Sequence, residues 1–286
     1  MSFSITEAFV NQYNANILLQ TQQMQSRLAG ACTLTSGIIG EATDVERVAS
    51  TEALSPTGRH ADGPLVSSEH TRRWMYPDMK EWGEMIDKDD EKEMLISPAS
   101  TYIRNGIAAL ERAKDKIVYD AIRGTAATGH AGATGVVLPV GQKIAAGAAG
   151  LTLDKILQTK EKFDTAEIPE EGRKFVASSQ QIRNMLNEQK ITSADYVGIK
   201  ALVSGQVDSF LGFQFIRYER QAKVATSRFC VAFHPRSVAF GMWQDNVSTT
   251  SIIPLKRNGL YVYMWNKVGA VRLEEEGVVE IECTES

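Results

Sequence analysis

The amino-acid sequence predicts an α+β chain, and three observations carry that prediction. Apolar residues recur at helical spacing without a break from Ser97 to Gly124. From residue 151 helical and strand-like segments alternate, and residues 243–286 read almost wholly as strands. With 286 residues and 43% hydrophobic content the chain has the material for a proper core.

Residues 4–28 are expected to form a helix whose first half is apolar on one side, through Ile5, Phe9, Val10, Tyr13, Ile17 and Leu18. Gln20, Gln22, Gln23 and Gln25 make its second half polar all round, so the segment must lie against something. Residues 44–76 read as a long β-hairpin: "DVERVASTEAL" and "LVSSEHTRRWMY" are strand-like, and "SPTGRHADGP" between them is dense in turn residues. Arms of that length reach roughly 35 to 45 Å. A compact chain of this size has a radius of gyration of about 19 Å, so the hairpin is expected to overshoot its own body and rest on another molecule.

The stretch "EHTRRWMYPDMKEW" interleaves arginine and aromatic side chains, as grooves for single-stranded nucleic acid do. The acidic run that follows, "GEMIDKDDEKEM", opposes that use, and a net charge of −4 gives no electrostatic reason for binding nucleic acid. In the helix at 97–124, Ser97 is the expected N-cap, Pro98 the first turn and Gly124 the stop. Ile103, Ile107, Leu110, Ile117 and Ala121 form the stripe, widened by Val118 and Ile122. About 26 residues at 1.5 Å each give a spine near 39 Å long.

The glycine-rich "GTAATGHAGATG" has two glycines at phosphate-loop separation, but His130 and Ala131 stand where lysine and a hydroxyl belong; a connecting loop is expected. Beyond it, "LTLDKILQTKEKFDTAEI" reads as a helix, "RKFVASS" as a strand and "SSQQIRNMLNE" as a helix capped by Ser179. "SADYVGIKALVSG" reads as helix or turn; "QVDSFLGFQFIRYER" and "RFCVAFHPRSVAFGMW" carry strands, and four further strands close the chain in a small sheet.

The motifs of known chemistry are missing. There is no H-E-x-x-H, C-x-x-C, G-x-S-x-G or G-x-G-x-x-G after a strand. His60, His70, His130 and His234 lie in or near loops without ligand spacing, so surface histidines and no metal or cofactor are expected. Cys32, Cys230 and Cys283 read as reduced, buried packing residues. The carboxylate runs, "DKDDEKE" and "EEE" at Glu274–Glu276, read as solvated faces, with a sharper alternative in which the second meets Arg72 or Arg73 of a neighbouring copy. No window supplies the ~18 apolar residues of a membrane span, and the N-terminus lacks the pattern of a cleaved secretory signal.

Taken in order, the arm, the overlong hairpin, the spine, the α/β module and the closing strands resemble the major capsid proteins of tailed bacteriophages, with the Hong Kong ninety-seven-like fold. The sequences carrying the resemblance are "SPASTYIRNGIAALERAKDKIVYDAIRGTAATG", "TSADYVGIKALVSGQVDSFLGFQFIRYER" and "GAVRLEEEGVVEIE". It implies an N-terminal arm at 1–43 and an extended loop with acidic linker at 44–96. A peripheral domain would hold the spine and glycine-rich connector at 97–146 and a sheet at 243–286, with an axial domain at 147–242 between them. The implied product is an icosahedral shell of hexamers and pentamers, assembled in a host bacterial cytoplasm around double-stranded DNA it does not read. Scaffolding, portal and decoration proteins would be the further partners.

Some members weld subunits through a lysine on the extended loop. Residues 44–79 contain no lysine, so an uncrosslinked shell and no enzymatic activity are expected. The expected subunit interface comprises Arg59, Arg72, Arg73, Trp74, Tyr76 and Trp82, with Glu274, Glu275 and Glu276 as acidic partners on a neighbour; packing within the chain under the spine is the alternative for the rings of Trp74, Tyr76 and Trp82. Two other readings stand beside this one: an encapsulin-like cargo shell, and a cytosolic α/β enzyme whose glycine loop binds a nucleotide.

Overall fold

A computed structural model describes residues 22–55, 58, 62, 63, 65–86, 99–187 and 209–285. The elements run β1 (Thr33–Ser36), β2 (Thr43–Val48), β3 (His70–Met75), β4 (Asp78–Ile86), α1 (Ala99–Arg123), β5 (Ala126–Thr128) and β6 (Thr134–Val136). They continue with β7 (Lys143–Ile144), α2 (Leu153–Thr165), β8 (Lys174–Ala177), α3 (Ser179–Leu186), β9 (Ser209–Phe210) and β10 (Phe213–Arg217). β11 (Lys223–Val224), β12 (Ser227–Phe233), β13 (Val238–Ile253), β14 (Gly259–Arg272) and β15 (Val278–Thr284) complete the chain. It divides into two compact units. One takes the described parts of Met1–Gln25, Met79–Ala113 and Gln244–Asn266; the other takes Ser26–Asp78, Lys114–Trp243 and Lys267–Ser286.

The larger unit is built on a mixed sheet of order β7-β15-β12-β8-β10-β9, with β11 beside β12. Its central strands are nearly continuous apolar runs because both faces are covered. Phe175, Ala177, Cys230, Ala232, Val279 and Ile281 face a core completed by Ile156 and Phe163 of α2 and by Ile182 and Met185 of α3. Their alternates Val176, Val231, Phe233 and Val278 face Val118, Tyr119 and Ile122 of α1. This period of two, read across three neighbouring strands, fixes the register. Phe175 stacks on Phe215 at 4.9 Å and meets Phe213 edge-on at 5.9 Å.

Buried charge in this unit is answered locally. The Lys155 ammonium donates to the carbonyls of Ala146, Ala149, Gly150 and Glu282 at 2.8–2.9 Å, tying the alanine–glycine loop to β15. Asp115, fully buried in α1, accepts from Ser26 Oγ at 2.6 Å and from the backbone N–H groups of Arg27 and Leu28 at 2.9 Å. The three cysteines are free and buried, and burial pushes the Cys32 thiol up to about 12.

In the smaller unit Ile86, Leu110, Val262 and Met264 form a core against which Trp82, Tyr102, Ile103 and Ile107 pack. β4 and the distal parts of β13 and β14 supply its strands, β14 lying between the other two. The ribbon of β13 and β14 turns through Arg257 and Asn258, both left-handed, into Gly259. Ile252 and Leu255 are exposed near that turn.

Several expectations are corrected. Residues 22–28 are not helical: the glutamine run offers no apolar stripe, and Asp115 captures the backbone amides that a helix would bond internally. The hairpin ladder is only six pairs long, Thr43↔Met75 to Val48↔His70, or about 20 Å; the outer arms lack apolar alternation, and Ala49 N–H to Glu69 O is the bond that extends the pairing. The closing strands do not make one sheet, since β15 alternates apolar residues toward both helical layers and joins β12 in the larger unit. Ser178, not Ser179, caps α3. His234 is buried rather than superficial: its ring accepts from Arg236 N–H to cap the turn before β13, and burial lowers its pKa. The expected cap at Ser97, the acidic run at 87–93, His60 and the segment "SADYVGIKALVSG" lie outside the described residues, as do most residues of the expected N-terminal helix.

Candidate functional site at the hairpin base

Alternation along β3 sorts the residues that the sequence singled out. Arg73 and Met75 point inward; Arg72, Trp74 and, just beyond the strand, Tyr76 lie on the outer side. β3 pairs on one side with β2 and on the other with β5, through Arg73↔Thr128 and Trp74↔Ala127, and β5 pairs with β6.

The outer aromatics fold the glycine loop onto the hairpin. Trp74 Nε1 donates to Gly129 O at 2.8 Å, and Tyr76 Oη donates to Ala131 O at 2.9 Å. Gly132 has φ +74°, and a Cβ there would collide with Tyr76 Oη, so this position demands glycine twice over. The loop's composition is thus explained by close approach to an aromatic ring rather than by phosphate. Between loop and strand lies a cleft of about 750 Å³ lined by Glu46, His70, Arg72, Trp74, Thr128 and His130.

The inward arginine meets the acids after β14. Arg73, with a side chain only 6% exposed, places Nη2 2.7 Å from Glu275 Oε1 and donates through Nε to Leu273 O at 3.2 Å. Arg47 of β2 reaches Leu273 O at 3.0 Å and Glu275 Oε2 at 3.5 Å. Arg272, fully buried, donates to the carbonyls of Ile122, Gly124 and Val136 and stands 3.7 Å from Glu275. Burial lowers the Arg272 pKa; Glu275 opposes that shift and Arg73 adds to it.

Arg72 pairs with Glu46 at 2.8 Å and with Asp44 at 3.5 Å, across the hairpin ladder. The arginine–carboxylate contacts expected between copies are therefore made within one chain for Arg73 and Glu275. Glu274 and Glu275 are half-buried, not solvated as the run of acids suggested; Glu276 is exposed. Trp82 belongs to the other unit, in the core beneath α1, and Arg59 lies outside the described residues. Sequence reading missed Arg47 and Arg272. Their signal was a charge set in a strand otherwise alternating or apolar, in "DVERV" and "GAVRL".

A model of the phage capsid protein family matches residues 5–285. The chain belongs to that family. It is a structural protein of the phage capsid, and its fold is the Hong Kong ninety-seven-like one. The capsid of Ralstonia phage GP4 is similar with a TM-score of 0.78 at 8% identity, covering 100% of this chain and 98% of that one. The capsid of cyanophage P-SCSP1u gives 0.74 at 15% identity, covering 98% and 94%. A chain from Mycobacterium phage Che8 gives 0.70 at 18% identity, covering 93% and 94%. Identities this low speak for the fold alone. No curated protein sequence matches the capsid chain significantly.

Proposed function

We propose that this capsid protein assembles through capsomers into an icosahedral head enclosing double-stranded DNA, with neighbouring copies clasped by the hairpin. The observation that carries this reading is the hairpin's outer part. Beyond the six-pair ladder, Leu54, Leu65 and Val66 are 61%, 99% and 50% exposed, and Val48 at the ladder's end is 55% exposed. Apolar side chains on a thin ribbon gain burial when another molecule covers them.

Arg72, Trp74 and Tyr76 on the outer side of the hairpin base, with Glu276 near its root, are the face offered to a neighbour, and Arg59 is assigned to the same interface from the sequence alone; aromatic and arginine anchors of this kind dominate interface energetics. In this reading residues 1–43 are the arm, 44–96 the extended loop and linker, 97–146 with 243–286 the peripheral domain, and 147–242 the axial domain. Because β15 completes the large sheet, the axial domain also draws on the C-terminal strand. The acidic balance suits a container that holds duplex without gripping it. Scaffolding, portal and decoration proteins are the expected partners, assembly takes place in the host cytoplasm, and the role is structural rather than enzymatic.

Electron microscopy of the overexpressed protein tests the reading. Closed shells or tubes are expected; a solution that stays monodisperse and monomeric at high concentration overturns it.

A further inference from the structure

Three guanidinium groups converge on one carboxylate at the hairpin base. Arg47 and Arg73 arrive from the two hairpin strands, Arg272 from the end of β14, and Glu275 stands among them. The three cations are not equally free to move. Arg272 is held by three carbonyls, two of them at the C-terminal end of α1 and the third on β6. Arg47 and Arg73 ride on a two-stranded hairpin attached by a two-residue register with β5, the Thr128 Oγ1 bond to Arg72 O, the carbonyl of Leu273, the Trp74 and Tyr76 hydrogen bonds, and the packing of Met75 and Val45 with Ala126, Ala239 and Val271. Take the negative charge away, and three neighbouring cations repel in a place where water screens them poorly. The part that yields is the hairpin.

We infer that Glu275 is a positioning residue: it fixes the direction in which the hairpin leaves the body, and through that direction the geometry in which copies join. The second half rests on the shell reading proposed above; the first half stands without it. Glu275 thus serves from inside the chain rather than as an acid presented to a neighbour. Specificity follows from the geometry, because the carboxylate takes Arg73 on one oxygen and Arg47 on the other. A side chain lacking either the charge or the second oxygen cannot hold both strands.

Hydrogen exchange and electron microscopy on the full chain test this. Glu275→Gln keeps the shape and removes the charge, so amides of 43–48 and 70–75 are expected to exchange on the order of tenfold faster while β12 and β15 keep their protection. Its shells are expected to spread over several diameters where the parent forms one. Glu276→Gln, at an exposed neighbour outside the arginine cluster, is expected to leave hairpin exchange unchanged. Arg47→Gln, at the half-exposed rim, is expected to speed hairpin exchange by about threefold on its own. Combined with Glu275→Gln it is expected to slow exchange relative to Glu275→Gln alone, because one unbalanced cation has been removed. That rescue is foreign to a merely structural contact.

Unchanged hairpin exchange in Glu275→Gln overturns the inference, as does an Arg47→Gln effect that adds to it. Should Glu275→Gln fail to fold, unchanged exchange in Arg47→Gln overturns the inference by itself. A loosened hairpin with shells of one diameter overturns the geometric role and leaves the shell reading intact; a parent protein that forms no shells overturns the shell reading, and exchange alone then decides whether Glu275 sets the hairpin.

Discussion

Glu285 is the residue at which acid is expected to loosen the larger unit. Its side chain is 1% exposed and meets Arg228 at 2.7 Å and Lys223 at 3.3 Å, with Ser178 and Gln181 beside it. Burial pushes its pKa up, but hydrogen bonds from Arg228, Lys223 and Gln181 outweigh burial and hold it below the ordinary carboxylate value. A folded pKa lower than the unfolded one stabilises the fold above about pH 4.5, and that contribution is lost as pH falls through the folded value. Glu285→Gln is therefore expected to destabilise the protein by about 3 kcal/mol at pH 7, since it strands two cations. Thermal melts should show the gap to the parent closing below about pH 4; a gap that stays constant with pH contradicts the assignment.

At the scale of elements, Asp115 joins α1 to the non-helical segment at 26–28 that leads into β1. One buried carboxylate accepts three donors from Ser26, Arg27 and Leu28, so Asp115→Ala leaves three donors to find new partners. A loss of about 3 kcal/mol is expected, with proteolytic nicking between residues 22 and 32 rising before the sheet unfolds. A variant that melts like the parent and resists nicking disproves the anchor.

The same scale shows what the sequence made legible. α1 was readable because local spacing and Gly124 define it; Gly124 N–H returns to Asp120 O at 2.8 Å. β12 was readable because "FCVAF" is apolar throughout. β4 was missed although "DMKEWGEMI" alternates between exposed and half-buried positions, since acidic residues masked the pattern. The allocation of β15 was unreadable because strand pairing is a non-local choice. At the hairpin base Arg72, Trp74 and Tyr76 were visible in one short stretch. Arg47 and Arg272 were not, since Arg47 meets Leu273 and Glu275 more than 220 positions away and Arg272 is held by carbonyls 136 to 150 positions away.

For the whole molecule the hairpin tip separates folding from assembly. Leu65 is 99% exposed, so Leu65→Asp removes no contact within the chain. Subunit melting is expected to stay within about 0.5 kcal/mol of the parent. If the tip beds against a neighbour, a buried aspartate there is costly, and the yield of closed shells measured by sedimentation should fall at least about tenfold. Parent-like yields rule out that contact. Family membership gives the expectation its setting, while the exposure of Leu54, Leu65 and Val66 gives it an address.

The sequestered thiols have a practical corollary. Since Cys32, Cys230 and Cys283 are all shielded in the native subunit, a maleimide dye offered to the folded protein finds little to react with. A cysteine engineered at position 65 would then be the dominant site of labelling. Fluorophores placed there would turn the joining of one copy to the next into a signal followed in real time.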